Sequence, residues 1–425
     1  MIIWIVPAVI LVLLVTERVL FRRCWDRELG AVLSFDAQPA VEGGTSSLTE
    51  VITNGKAIPV PVLEVGFALD TGLRLRDAGN QTVSDQTNAV DVFSVRGHEK
   101  ITRKLTVVCR RRGYYVINRT SLVAHDFLSR EAGYCNLEQN THLYVYPGEF
   151  PPEGLELPLE KIMGEISTRR FLYEDIFLRR GVRDYVPTDP QSRVNWKASA
   201  RTGSLKVNLS DHSAGQSVRI LLNLDEPTIW YPEAVLEDSI RLAASLARVL
   251  IQRQISVSIL TNGEGMVRET GSTQEITQEI PDSAGTFRAA QSELGEAGRL
   301  SQDRTLLGKM DGAAAAAAGM ALGEGVSAGH LARVNELLAR IDLRLKRPAF
   351  STFLREETER AAGEGGQSGV TRVLISSSRR EDVSEAAAGL SAVRGGLLWL
   401  CPLAKDMKDE PVPENVDFVR LDCLG

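Results

Sequence analysis

The densest cluster of chemically capable side chains lies at residues 177–207, FLRRGVRDYVPTDPQSRVNWKASARTGSLKV. Arg179, Arg180, Arg183, Arg193, Lys197, Arg201 and Lys206 stand there against only Asp184 and Asp189. A guanidinium presents a planar fork that grips carboxylate or phosphate at two points. Trp196 adds an aromatic anchor and Asn195 a hydrogen-bonding amide, while Pro187, Pro190 and Gly203 mark turns. Two uses of this chemistry compete. In one, the arginines pair with carboxylates of flanking domains and Trp196 fills the joint, forming an internal clamp. In the other, the same forks face outward and receive an acidic partner segment or a phosphate, free or on a lipid headgroup.

Other groups offer less. Ser204 and Lys206 have the spacing of some Ser-Lys nucleophilic pairs, but such a pair needs a desolvated lysine, and a three-residue match is common by chance. Cys24, Cys109, Cys135, Cys401 and Cys423 are scattered, with no C-x-x-C, and no H-E-x-x-H occurs. Zinc-ribbon and thioredoxin-like chemistry are thereby excluded, and a disulfide framework is disfavoured. Cys109 follows Val107 and Val108, which predicts an inert buried thiol rather than half of a Cys-His pair with His125 or His142. The absence of G-x-x-x-x-G-K-[ST] excludes a P-loop. The glycine-rich stretch 363–369 precedes a strand, whereas a dinucleotide fingerprint follows one, so it reads as a connector. Asn118-Arg119-Thr120 is a glycosylation sequon by letters only. Glu356, Glu357 and Glu359 read as a solvated helix face.

The elements that position these groups fall into two classes. Over 28–150, short alternating runs at 31–35, 47–53, 62–68, 90–95, 101–109, 114–122 and 143–146 are separated by Gly- and Asn-bearing turns. That spacing predicts an antiparallel β-sandwich. Residues 151–215 are mixed and basic, a connecting region. Beyond them, strands at 218–224, 255–260, 371–376 and 396–400 alternate with helices at 234–253, 331–345, 350–362 and 382–394. Alternation of this kind predicts a parallel sheet covered on both faces, a Rossmann-like α/β domain over 216–425. Residues 263–330 hold few large apolar residues; the alanine run 313–318 favours helix, and a mobile loop between the second strand and the next helix fits the composition equally well.

Ahead of both classes, residues 1–15 are apolar without interruption, and the run stretches to about residue 21 if Glu17 and Arg18 snorkel. A spanning helix needs about 20 residues. Arg18, Arg22, Arg23 and Arg27 follow the run and no Lys or Arg precedes it, which predicts a single anchor over 1–21 with the rest cytoplasmic. The 425 residues are 43% hydrophobic, enough for two or three packed domains. A net charge of −6 argues against a nucleic-acid binder, and a mean hydropathy of −0.08 against a polytopic membrane protein.

Residues 183–205 resemble the signature of the domain-of-unknown-function family 58, close to R-x-Y-x-P-G-D-x-x-x-R-I-x-W-K-A-S-A-R-T-G-x-L. Arg183, Tyr185, Pro187, Asp189, Arg193, Trp196, Lys197, Ala198, Ser199, Ala200, Arg201, Thr202, Gly203 and Leu205 fill it, with Val194 for isoleucine and Thr188 for glycine. Upstream, residues 111–130 are similar to the family's R-R-G-x-Y segment, and His125-Asp126-Phe127-Leu128 departs from the turn that follows it. The resemblance implies a membrane segment, a β-module, the signature and a von Willebrand factor A-like domain. It also implies a MoxR-type AAA+ ATPase as partner, and it brings no catalytic residues.

A von Willebrand A domain holds Mg²⁺ through D-x-S-x-S after its first strand. Here the corresponding run is Asp225-Glu226-Pro227-Thr228-Ile229, so Asp225 fits, two serines are lost, and Thr228 offers only a displaced hydroxyl. Ser376, Ser377 and Ser378 follow a later strand and read as loop residues or a helix cap before Glu381. No metal or cofactor is expected. The expectation is a non-enzymatic, single-pass membrane adaptor. Its signature residues Arg179, Arg183, Tyr185, Asp189, Arg193, Trp196, Lys197, Ser199 and Arg201 would serve as clamp or binding face. The alternatives are a metal-dependent or hydrolytic enzyme at Asp225, and an anionic-lipid binder using the basic signature.

Overall fold

The computed structural model describes residues 12, 14–16, 18–19, 21–36, 38–76, 81–83, 86–126, 132–172, 175–187, 189, 191–211, 217–226, 231–265, 268–270, 319–363, 370–393, 396–404 and 412–423. Among them no helix is long and apolar enough to cross a membrane. The expected anchor falls largely on residues 1–11, outside the described residues, as do Thr228, the alanine run 313–318 and residues 364–369 of the glycine-rich stretch. The chain forms two compact units, one of residues 1–148 with 266–306, the other of residues 149–265 with 307–425.

The first unit is made of strands. β1 (Leu29–Phe35), β3 (Thr45–Asn54), β8 (Lys100–Cys109) and β5 (Leu73–Leu75) form one sheet in that order. The second sheet runs β2 (Ala40–Val41), β10 (Ala132–Tyr146), β9 (Gly113–His125), β4 (Val60–Asp70), β7 (Gln86–Val95), β6 (Gln81–Val83). A further short strand, Arg268–Thr270, lies parallel to β9. Pairing is otherwise antiparallel, except for β2 beside β10. Alternation drives the packing: in β1 the inward Leu29, Ala31, Leu33 and Phe35 are buried while Val32 and Ser34 are exposed. Buried Tyr115 donates its hydroxyl to the Arg111 carbonyl at 2.9 Å. Gly72 and Gly113 leave room for that ring, since a Cβ on either would sit within 3 Å of its atoms.

The second unit opens with α1 (Pro152–Leu172). The expected connector over 151–215 therefore begins as a helix, whose Leu155, Ile162 and Ile166 enter the main core. Next come β11 (Asp175–Asp184), α2 (Trp196–Thr202) and β12 (Lys206–Asp211), a two-stranded ribbon with a short helix between its strands. The six-stranded sheet follows, from β13 (Ser217–Leu222), β14 (Ser256–Thr261), β16 (Met320–Gly325), β17 (Val370–Ile375), β18 (Leu397–Leu403) and β19 (Asp417–Asp422), with the label β15 given to Arg268–Thr270. Its order is β16-β14-β13-β17-β18-β19, all parallel but β16. In order of appearance within the sheet this is 3-2-1-4-5-6, the arrangement of a doubly wound sheet.

Helices cover both faces. α1, α3 (Glu233–Gln252) and α4 (Ala328–Arg340) pack with Val218, Ile220 and Leu222 of β13, while α5 (Phe350–Gly363) and α6 (Glu381–Ala392) pack with Leu221. Strands between two helix layers carry apolar residues on both sides, and every residue of β17 and β18 is buried. Arg219 and Arg372 are the charged exceptions on β13 and β17. They pair across β13 and β17 and meet Glu357 of α5, at 2.6 Å from Arg219 Nη1 and 3.0 Å from Arg372 Nε. Arg360 joins at 3.3 Å. Glu357 is thus buried, which corrects its reading as part of a solvated acidic face.

Candidate functional site

The signature folds as a scaffold that holds one short helix. Seven residues cannot sustain a helix alone, so α2 depends on its ends. Asn195 caps the start, its Oδ1 accepting the Ala198 N–H at 3.0 Å, and Gly203 ends it in the left-handed region at φ 71°. Asn195 Nδ2 reaches Asn208 Oδ1 on β12 at 2.6 Å. Buried Ser199 ties the helix to the ribbon twice: its hydroxyl donates to the Asn195 carbonyl and accepts the Lys206 N–H, both at 2.8 Å. Arg183 and Asp189 form a bidentate pair, two contacts of 2.6 Å, and Asp189 also accepts the Val186 N–H at 2.9 Å. Half-buried Tyr185 donates its N–H to the Leu205 carbonyl, closing the turn.

What remains points outward. Trp196 is 68% exposed, and Lys197 and Arg201 are exposed with no ion pair among the described residues. Val182, Val186 and Leu205 are exposed on the same ribbon and its turn. Trp196 therefore does not fill a joint, and the Arg183–Asp189 pair is local to the signature. Arg179 lies on β11 and Arg193 in the 3-10 turn Gln191–Arg193. Lys206 pairs with Asp184, so the Ser204-Lys206 spacing provides no free amine.

The second site is the crevice at the carboxyl ends of β13 and β17, where the strand order reverses and open α/β sheets take ligands. Asp225 is buried there. Its Oδ1 accepts from Asn262 Nδ2 at 2.7 Å and its Oδ2 from the Phe350 N–H at 2.9 Å, at the start of α5. Burial pushes the carboxyl above the usual range, against the pull of the Phe350 N–H, Arg380 and Asn262. Asn262 also bonds the Pro348 carbonyl at 3.0 Å and accepts the Leu224 N–H at 3.0 Å. Ser376 receives Asn223 Nδ2 at 2.9 Å and donates to the Ser378 carbonyl at 2.8 Å. The three serines are buried and none caps α6, whose N-cap is Arg380.

Both Asp225 oxygens already accept hydrogen bonds, and no group of three or more His, Cys, Asp or Glu that could hold a metal occurs among the described residues. The cleft is instead rich in cations: Asp225 and Glu226 share it with Arg344, Lys346, Arg347 and Arg380. Sequence reasoning assigned 331–345 to one helix and missed the R-x-K-R-P run at 344–348. The helix ends at Arg340, and the run forms the rim. A stretch of basic residues running into a proline in an acidic chain was the available signal.

No family model and no curated protein matches this chain. Solved structures match parts of it. CaCohA2 from Clostridium acetobutylicum is 10% identical and covers 28% of this chain and 92% of its own, at a TM-score of 0.20. A non-cellulosomal cohesin from Archaeoglobus fulgidus is 9% identical over 27% of this chain and 90% of its own, at 0.18. An exo-β-N-acetylglucosaminidase from Vibrio harveyi is 7% identical over 56% of this chain and 47% of its own, at 0.20. At these scores neither fold nor function is drawn from them.

Proposed function

We propose that the chain is a non-enzymatic, membrane-anchored interaction protein that presents the α2 face to a protein partner. The observation that supports it most is the division of labour in the signature. Asn195, Ser199, Arg183 and Asp189 are occupied in holding α2, while Trp196, Lys197 and Arg201 are left facing solvent. An exposed tryptophan flanked by cations is the composition of an interface anchor. The resemblance to the domain-of-unknown-function family 58 supplies the partner class, a MoxR-type AAA+ ATPase, together with a von Willebrand factor A-like reading of the doubly wound sheet. The N-terminal run supplies the single-pass anchor, with the two units on the cytoplasmic side.

Capture of a MoxR-type ATPase by the full chain in detergent, with and without Mg²⁺-ATP, tests this. Trp196→Ala with Arg201→Glu is expected to abolish capture at unchanged melting temperature. Undiminished capture by that variant would refute the proposed face. A second reading, an anionic lipid surface, is favoured by Val182, Val186 and Leu205 exposed beside the same cations. Vesicles with and without phosphatidylserine distinguish it: flotation lost in the same variant would select lipid over protein.

A further inference from the structure

We propose that the crevice beside Asp225 is a metal-independent oxyanion site, in which Arg344, Lys346 and Arg347 take the carboxylate or phosphate group of a ligand. The proposal stands apart from the α2 face and does not rest on it. The cleft, of about 430 Å³, falls within the size of ordinary ligand pockets. It lies where the strand order of the sheet reverses, so its location is set by topology.

Charge selects the ligand class. Four cations line the cleft against two carboxylates. Asp225 is held from both oxygens, and Glu226 pairs with Arg347. Arg380 has its own partner in Asp382 at 3.3 Å. Arg344 and Lys346 are exposed and make no ion pair among the described residues. Arg347 is the second, independent indication. Its side chain is only 7% exposed, yet Nη1 is buried with no hydrogen-bond partner among the described residues. Leaving a buried charged donor unpaired is costly, and a shift of the fork toward the cleft would let an oxyanion there accept from it. A metal cation in the same place would meet the guanidiniums instead.

Calorimetric titration of the full chain in detergent tests this, with inorganic phosphate in one arm and a hexaglutamate peptide in the other, each with EDTA and then with Mg²⁺. Saturable binding in EDTA is expected, weakening steeply with added salt. Arg344→Ala with Lys346→Ala should weaken it by about tenfold or more without moving the melting temperature, because both side chains are exposed. Binding of phosphate alone would assign a small phosphorylated ligand, and binding of the peptide alone an acidic protein segment. No saturable heat in either arm, equal affinity in the double variant, or binding only with Mg²⁺ would each overturn the site. Loss of ATPase capture by α2 variants with oxyanion binding intact would separate this site from the α2 face.

Discussion

Two glutamates, one in each unit, are equally buried and have opposite environments. Glu357 sits between helix and sheet with Arg219, Arg372 and Arg360 around it. Glu50 points into the β-sandwich from β3, between the buried Leu48 and Ile52, and neither of its oxygens has a hydrogen-bond partner among the described residues. Arg103, opposite it on β8, gives its guanidinium to Asp91 at 2.7 Å. Desolvation first, and the Asp91 charge second, push the Glu50 carboxyl up to about 7. The same residue at the same depth is an ion-paired bolt in one unit and a core group without a hydrogen-bond partner among the described residues in the other. The difference lies in which partners the neighbouring strands bring, since burial alone sets only the stakes.

Removing the bolt should have the largest effect. Glu357→Ala removes the carboxylate shared by buried Arg372 and part-buried Arg219 and is expected to cost about 3 kcal/mol in denaturant unfolding. Replacing Arg219, Glu357 and Arg372 together by apolar residues should restore much of that loss, and a triple variant as weak as the single one would contradict the contrast. Glu50 gives the next effect, through pH. Its folded pKa, about 7, lies above the 4.5 of an unperturbed glutamate. The unfolded chain therefore releases its proton first as pH rises. Stability falls between about pH 4.5 and 7, by roughly 3 kcal/mol in all, and stays lower above that range. Glu50→Gln should flatten this dependence, and identical pH profiles for variant and parent would show that Glu50 is not the titrating group.

Smaller effects sharpen the same distinction between occupied and unoccupied groups. Asp225→Ala removes the acceptor at the start of α5 and should cost about 1–2 kcal/mol, measured equally with Mg²⁺ or EDTA. A melting temperature of the parent that rises with Mg²⁺ would instead reinstate a cation at Asp225. Trp196→Ala, at an exposed position, should change stability by less than about 0.5 kcal/mol. A larger loss would mean that the ring packs against the protein in solution.

Much of the architecture was legible because strand periodicity and strand-helix alternation are written in apolar positions. The runs at 101–109 and 371–376 correspond to β8 and β17 within a residue or so. α1 was not legible: Pro158 interrupts its pattern, and its glutamates spread over the helix. β16 and β19 were missed because each joins an edge of the sheet, where apolar residues on both faces are not required. At the sites, the signature residues were legible as a group, but their partition into holders and presented side chains was not. That partition depends on which donor each residue meets across the turn. Asn262, Arg347 and Glu357 were missed for the same reason, since their roles arise from residues 37, 121 and 138 positions away.

The double capping of α2 has a kinetic consequence. A helix fixed by Asn195 at one end and Gly203 at the other, and bonded to its ribbon through Ser199, carries its tryptophan in one backbone position before any encounter. Ordering of the segment is then complete at folding, so it is not charged against association. Capture by the proposed face would then be governed by diffusion and by the long-range pull of Lys197 and Arg201, and its rate should fall with ionic strength while the dissociation rate changes little.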